Sequence, residues 1–353
     1  MNLLFFVSSF YPQIGGVERS VYFVSRELCK LGFNVKIITQ NIDNKSKNYE
    51  IFPEGFSVYR IPSIKVPKTG LLQKWIWLIF HINLIAKSHI IHFHDYTPFV
   101  KWFLPFRFIF LKKKYFITFH GYEGFPIKFK HIFYRRLAEK LTNGNICVGE
   151  FIKRWYRTNP DKIYFAAVDY TEDSNDYSEK DIFFYGRLEK DTDITFYIQA
   201  IKLLQKKLDN KICFKIIGDG SLRKSVLNFL DENKINYEFL GFQENPAQFL
   251  KNAKIVLTSS YLSILESLSL GKIVISFYSN NLKRDYLKSF PGADSIFYVY
   301  EDPKFVASRI EDIIRNSHKY EHLKVEGKNL AKEMSWAKVA EKYVALYNKY
   351  IKK

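Results

Sequence analysis

The stretch Lys254–Ser276, KIVLTSSYLSILESLSLGKIVIS, leaves the chain around it few options. Ile255-Val256-Leu257 is an apolar strand, and the polar turn Thr258-Ser259-Ser260 follows it. Leu262, Leu265, Leu268 and Leu270 then recur at roughly helical spacing, with Glu266 among them. Gly271 ends that helix and Ile273-Val274-Ile275 starts another strand. Strand, turn, helix, strand is a βαβ unit, which commits its strands to a parallel sheet covered by helices. Small residues at a helix start, with an acid nearby, form a phosphate-and-ribose cradle in many α/β proteins. An ordinary βαβ unit with an exposed glutamate reads the same way from these residues alone.

The same alternation runs along the whole chain. Leu3–Val7 predicts a first strand and Ser8–Val17 a loop ending in Gly15-Gly16. Val17, Val21, Val24 and Leu28 mark one face of a helix stopped near Gly32, and Asn34–Thr39 the next strand. Further strands are expected at Ser57–Ile61, Ile90–Phe93, Tyr115–Phe119 and Asn145–Val148, and helices over Leu71–Lys87, Phe99–Leu111 and Lys128–Thr142. A polar, acidic stretch at Asp169–Glu179 reads as a linker. In the second half, strands are expected at Ile182–Tyr185, Cys213–Ile217, Tyr237–Leu240 and Ser295–Tyr298. Helices are expected over Ile194–Lys207, Leu222–Glu232, Pro246–Asn252, Lys304–Asn316 and Trp336–Lys353. At 353 residues the chain is long enough for two domains, and both halves read as doubly wound parallel sheets.

Candidate site residues follow from that edge logic. Two glycines at a helix start, Gly15 and Gly16, either satisfy a turn needing φ > 0 or let backbone approach a ligand closely. His94, Asp95 and His120 fall at carboxyl ends of strands, the edge where open α/β sheets bind ligands. His92 reads as core, and HxHD offers no third metal ligand nearby, so no metal is expected.

Three dispersed cysteines, Cys29, Cys147 and Cys213, fit a reducing compartment and no disulfide framework. The apolar N-terminus lacks a basic leader region and reads as a buried strand, and no uncharged run reaches spanning length. The expectation is a cytoplasmic protein, either soluble or peripheral at the inner face of the plasma membrane. The net charge of +18 is uneven: residues 1–170 carry 25 Lys and Arg against 11 acids, the remainder 29 against 25. A basic first half suits an anionic partner, and Trp102–Tyr115, with its aromatics, Arg107 and Lys112–Lys114, suits a lipid interface. A core helix followed by a solvated basic turn fits the same segment. No nucleic-acid motif accompanies the charge, so no nucleic-acid partner is expected.

Taken in order, YPQIGGVER, FHG at His120, FFYGRLE at 183–189, IIGDG at 216–220, FLGF at 239–242 and LESLSLGKIVIS at 265–276 resemble the GT-B glycosyltransferases of family GT4. The resemblance implies two Rossmann-like domains facing a cleft. Residues 1–170 would bind the acceptor and 171–335 a nucleotide-sugar donor, and the helix 336–353 would pack back on the first domain. It implies retention at the anomeric carbon, with no metal or other cofactor. Arg187 would neutralise the diphosphate, helped by backbone amides around Ser263, Ile264 and Leu265 and by Gly15 and Gly16. Glu266 would accept from the ribose hydroxyls, Gly218 and Phe242 would flank the base, and His120 would touch the transferred sugar. His94 and Asp95 are placed on the acceptor side. The acceptor would be a lipid-linked or polysaccharide glycan. Two departures stand out. Where the family has a Lys-Gly pair after GRL, this chain has Thr192 and Asp193, with Lys190 a possible substitute. Where it has a glutamate eight residues before Glu266, this chain has Thr258. The departures also fit a degenerate, non-catalytic binding or scaffold subunit.

Overall fold

Runs such as Leu3–Val7, without a polar residue on either face, are stable only as strands covered on both sides. All five of these residues are at most 1 % exposed. A computed structural model describes residues 1–351 except 43, 45, 64–69, 171–180, 206 and 208–212. It divides into two compact units, Met1–Tyr164 with Trp336–Lys353, and Phe165–Ser335. Most of the linker read at Asp169–Glu179 lies outside the described residues.

The first unit runs β1 (Asn2–Val7), α1 (Gly16–Lys30), β2 (Asn34–Asn41), β3 (Tyr49–Ile51), β4 (Ser57–Pro62), α2 (Gly70–Phe80), α3 (Ile82–Ala86) and β5 (Ile90–His94). A π-helical segment, Pro98–Phe103, leads into α4 (Leu104–Ile109). Then come β6 (Lys114–Phe119), α5 (Phe129–Leu141), β7 (Gly144–Val148), α6 (Phe151–Tyr156) and β8 (Lys162–Tyr164). The sheet order is β3-β4-β2-β1-β5-β6-β7-β8, parallel except for the short β3–β4 pairing. The chain winds outward from β1 to β4, crosses back, and winds outward again from β5. The reversal therefore lies between β1 and β5.

The second unit runs β9 (Asp181–Tyr185), α7 (Ile194–Gln205), β10 (Phe214–Ile217), α8 (Arg223–Glu232), β11 (Tyr237–Gly241), α9 (Ala247–Leu250), β12 (Ala253–Leu257), α10 (Tyr261–Ser269), β13 (Ile273–Phe277), α11 (Asn281–Lys288), β14 (Tyr298–Tyr300), α12 (Pro303–Arg315) and α13 (Glu321–Glu333). Its six strands are all parallel, ordered β11-β10-β9-β12-β13-β14, with the reversal between β9 and β12. The stretch Lys254–Ser276 forms β12, α10 and β13 at the centre of this sheet.

The last helix, α14 (Trp336–Ile351), belongs to the first unit. Trp336, Val339, Ala340, Tyr343, Leu346 and Tyr347 form its buried stripe. Trp336 stacks on Phe23, and the Tyr343 and Tyr347 hydroxyls bond Thr118 (2.9 Å) and His92 (2.9 Å). Burying that stripe contributes on the order of 10 kcal/mol before the entropy of ordering the helix is subtracted.

Several elements differ from the sequence expectation. The helix expected over Leu71–Lys87 breaks at His81, whose ring stacks on Trp77 and leaves α2 and α3. The aromatic helix expected over Phe99–Leu111 is π-helical before it is α-helical. The strand expected at Ser295–Tyr298 lies at Tyr298–Tyr300, and the helix expected over Pro246–Asn252 shrinks to α9. Elements β3, α6, β8, α11 and α13 had no sequence counterpart. They are short or strongly polar, so periodicity carried little information.

Candidate active site

In open α/β sheets the carboxyl edge at the strand-order reversal is where a ligand can enter between diverging loops. In the first unit that edge is the ends of β1 and β5, with β6 beside them. The β1 exit leads to Gly15 and Gly16. Gly15 is extended (φ −151°), and no left-handed φ occurs at Gly16, so the turn reading is set aside. A Cβ on Gly16 would meet nothing within 4 Å. Open space over a helix N-terminus is the geometry for close backbone approach.

At the β5 and β6 exits, His94 Nδ1 meets His120 Nε2 at 3.1 Å, and the His120 backbone N–H donates to Asp95 Oδ1 (3.0 Å). His94 is 1 % exposed and His120 8 %. That corrects the placement of His94 on the acceptor side: it lies behind His120, against Phe5 and Tyr343, and orients the His120 ring. His92 is core, as its neighbours predict, held by Thr118 (2.8 Å) and Tyr347. Beneath the edge, the buried Arg135 guanidinium donates to Glu123 (2.8 Å) and to the carbonyls of His120 (3.3 Å) and Gly121 (3.2 Å). It lies over Tyr156 and 3.8 Å from Asp95. Burial and the nearby Arg135 charge push the His120 imidazole down to about 3, so it is neutral at neutral pH. Burial raises the Asp95 carboxyl to about 7, against the pull of Arg135 and the His120 N–H.

In the second unit the reversal puts the exits of β9 and β12 side by side. Gly186-Arg187-Leu188 leaves β9 and packs against the β10 exit. Gly186 N–H donates to Ile217 O (3.1 Å) and Leu188 N–H to Asp219 O (3.0 Å). Gly218 has φ +133°, and a Cβ there would lie 1.9 Å from Gly186 O, so only glycine fits. Its N–H reaches Gly241 O (2.7 Å), beside which Phe242 stands 53 % exposed. These contacts bind three strand exits into one rim.

The Arg187 side chain is exposed and paired with Asp191 at 2.6 Å. Lys190 is exposed on the same turn. Thr192 is buried, its hydroxyl donating to Arg187 O (2.6 Å) and Glu189 O (2.8 Å). Asp193 is buried with φ +59°. The positions of the absent Lys-Gly pair are therefore structural here. A cation that sequence reading missed comes from α11. Lys283 is 4 % exposed, and its Nζ donates to Asp191 O (2.9 Å) and Ser259 O (2.6 Å). It thereby joins the Arg187 loop to the turn before α10. Burial lowers its ammonium to about 8, against the attraction of Asp193 and Asp191. Spacing could not reveal it, because 92 residues separate Lys283 from Asp191.

Helix α10 begins at Tyr261, with Ser260 as its N-cap. Ile264 N–H is spent on Ser260 O (2.9 Å), and Leu265 lies one residue further in. The donor roles expected of Ile264 and Leu265 are therefore corrected: a helix start exposes only its first amides. Tyr261 N–H is taken by Tyr286 Oη (2.8 Å), which leaves Leu262 and Ser263 as the positions to meet an anion. Glu266 sits near the β9 exit, where it accepts from Tyr185 Oη (2.7 Å), a second partner the sequence did not announce. Thr258, where the family's first glutamate would stand, is 1 % exposed.

The two halves of the chain match two family models in succession. Residues 14–165 match "Glycosyltransferase Family 4" and residues 171–330 "Glycosyl transferases group 1". The chain is a glycosyltransferase of the GT-B fold. An uncharacterised glycosyltransferase of Methanocaldococcus jannaschii is 23 % identical over 94 % of this chain and 93 % of its own. A Campylobacter jejuni α-1,4-N-acetylgalactosaminyltransferase, named for a diphospho-undecaprenol-linked glycan, is 25 % identical over 49 % of each chain. Among solved structures, Anabaena HepE in complex with UDP and glucose superposes with TM-score 0.75 at 13 % identity, covering 99 % of this glycosyltransferase and 100 % of that chain. The activity of this glycosyltransferase is sugar transfer from a nucleotide-sugar.

Proposed function

We propose that this glycosyltransferase works with retention and without a metal, moving a sugar from a nucleotide-sugar donor to a lipid-linked or polysaccharide acceptor at the cytoplasmic membrane face. The observation that carries the donor half is the rim at the β9/β12 reversal. An exposed guanidinium, a helix N-terminus and a carboxylate converge on one sheet edge, the set a diphosphate and a ribose require. In this reading Arg187 leaves Asp191 for the diphosphate and stabilises the charge that develops as the bond from the anomeric carbon to the phosphate oxygen breaks. The acceptor hydroxyl forms the new bond and its proton passes to the departing phosphate. Glu266, held by Tyr185, takes the ribose hydroxyls. Gly218 and Phe242 border the base. Neutral His120, oriented by His94, offers the sugar a ring nitrogen without a competing charge. The carrier-linked glycan in the name of the Campylobacter relative, and the basic first half, support the acceptor assignment.

The test is thermal stabilisation by a panel of UDP-, GDP- and ADP-sugars, since a ligand of the folded state raises its melting temperature. One donor is expected to stabilise and to turn over. Arg187→Ala should then lower kcat by about 10²–10³-fold, and Glu266→Gln should weaken donor binding roughly tenfold or more. If no nucleotide-sugar stabilises the protein, the reading fails. A non-catalytic binding subunit is the second reading, favoured by the Arg187–Asp191 pair and the buried Thr192 and Asp193. Turnover lost in Arg187→Ala would exclude it.

A further inference from the structure

Helix α2 is almost wholly apolar, GLLQKWIWLIF, yet of its eleven residues only Leu78 is buried. A helix apolar on all sides belongs in a core. Helix α10, of similar character, buries six of its nine residues. On α2, by contrast, Leu72 is 56 % exposed, Ile76 45 %, Ile79 59 % and Phe80 81 %. The end of α4 repeats the pattern, with Phe108 60 % and Ile109 68 % exposed.

The segments that carry these two apolar ends are joined at two points. At one end of the pair the Lys74 Nζ lies over the Trp102 ring (5.5 Å). At the other, the Lys113 Nζ donates to the carbonyls of Ala86 and Ser88. Helices α2 and α3 therefore run alongside the Pro98–Ile109 segment. The charge around them has one sign: residues 55–122 hold ten Lys or Arg and a single acid, Asp95. Lys87, Lys101 and Lys112 are exposed.

We propose that the face formed by α2 and the end of α4 docks on an anionic lipid bilayer, with α2 lying in the interface. An apolar centre flanked by segments rich in cations and poor in acids matches a surface of acyl chains beneath anionic headgroups. At eleven residues α2 is about 16 Å long, half the hydrocarbon thickness, so it lies on a bilayer and does not cross it. A second copy of the chain fits worse, because a two-fold interface would set the same cation-rich segments against themselves. Nucleic acid fits worse still, because the centre is apolar. The inference rests on the membrane-face part of the proposed function and assigns the surface responsible.

The test is co-sedimentation of the full chain with phosphatidylglycerol–phosphatidylcholine vesicles and with phosphatidylcholine alone. The protein should pellet with the anionic vesicles, less so as salt rises, and stay in solution with the neutral ones. Ile79→Asp with Phe80→Asp, both exposed, should cut the bound fraction at least tenfold, and Lys101→Glu with Lys112→Glu several-fold. Each variant should keep the melting temperature and the donor-induced shift of the parent. Vesicle binding needs no turnover, so a failed donor screen leaves this inference standing, and absent vesicle binding leaves sugar transfer standing. Failure of the parent to bind anionic vesicles, or undiminished binding by Ile79→Asp/Phe80→Asp, overturns the docking face. So does a dimer in sedimentation velocity that the same variant dissolves, since the face would then belong to a second copy.

Discussion

At single residues, the two glycines near ligand edges are glycine for opposite reasons. Gly218 has a left-handed φ and no room, so Gly218→Ala should cost at least about 3 kcal/mol or prevent folding of the second unit, read by denaturant melts. Gly16 has room and no unusual φ, so Gly16→Ala should leave stability within about 1 kcal/mol. If its openness serves a ligand, the same substitution should raise KM for the donor. Lys283 is a third case. Truncating it strands buried Asp193 and two carbonyls, and Lys283→Ala is expected to destabilise by about 3 kcal/mol. Lys283→Arg should restore part of that without changing the exposed Arg187–Asp191 pair. Residue roles of this kind were the least legible in the sequence. His120, Arg187 and Glu266 could be picked out because each follows a readable strand or turn. Lys283, Tyr185 and the His94–His120 contact depend on chain separations of 26 to 92 residues, which no local pattern encodes.

At the scale of elements, the β5–β6 seam joins buried histidines to α14. His120, at about 3 when folded, contributes stability that is complete above its ordinary 6.5 and is lost as pH falls through 3. Burial depresses His92 and His94 in the same direction. Asp95, raised from 3.8 to about 7, acts oppositely: its contribution is complete below 3.8 and lost as pH rises through 7. Below pH 6.5 three depressed histidines outweigh one raised carboxyl, so unfolding takes up protons and stability should fall as pH falls. His120→Gln should make that fall shallower. All five tryptophans, Trp75, Trp77, Trp102, Trp155 and Trp336, belong to the first unit, so their fluorescence reads this transition without the second. Tyr347→Phe, which leaves His92 Nδ1 unpartnered, should cost about 1–3 kcal/mol in the same measurement. Elements were the most legible level where strands were long and apolar. They failed where a helix was polar all round, as in NLKRDYLK of α11 and EHLKVEGKNLAKE of α13, because no apolar stripe declares such a helix.

At the scale of the whole molecule, the second unit is spliced into the first between Tyr164 and Trp336. Two parallel sheets could be anticipated from the alternation of strands and helices, because that pattern admits few other solutions. A fragment of residues 1–164 should not reach the native fold, since the buried stripe of α14 is missing from it, and a peptide of residues 336–353 added in trans should recover tryptophan burial. The splice also gives the molecule a timetable. At roughly 5–20 residues per second on the ribosome, the roughly 170 residues of the second unit delay α14 by about ten to thirty seconds. For that interval His92 and Phe116 lack the rings of Tyr343 and Tyr347 that cover them in the finished protein. The half of the protein made first is thus finished last, its aromatic seam uncovered until the second unit has been made.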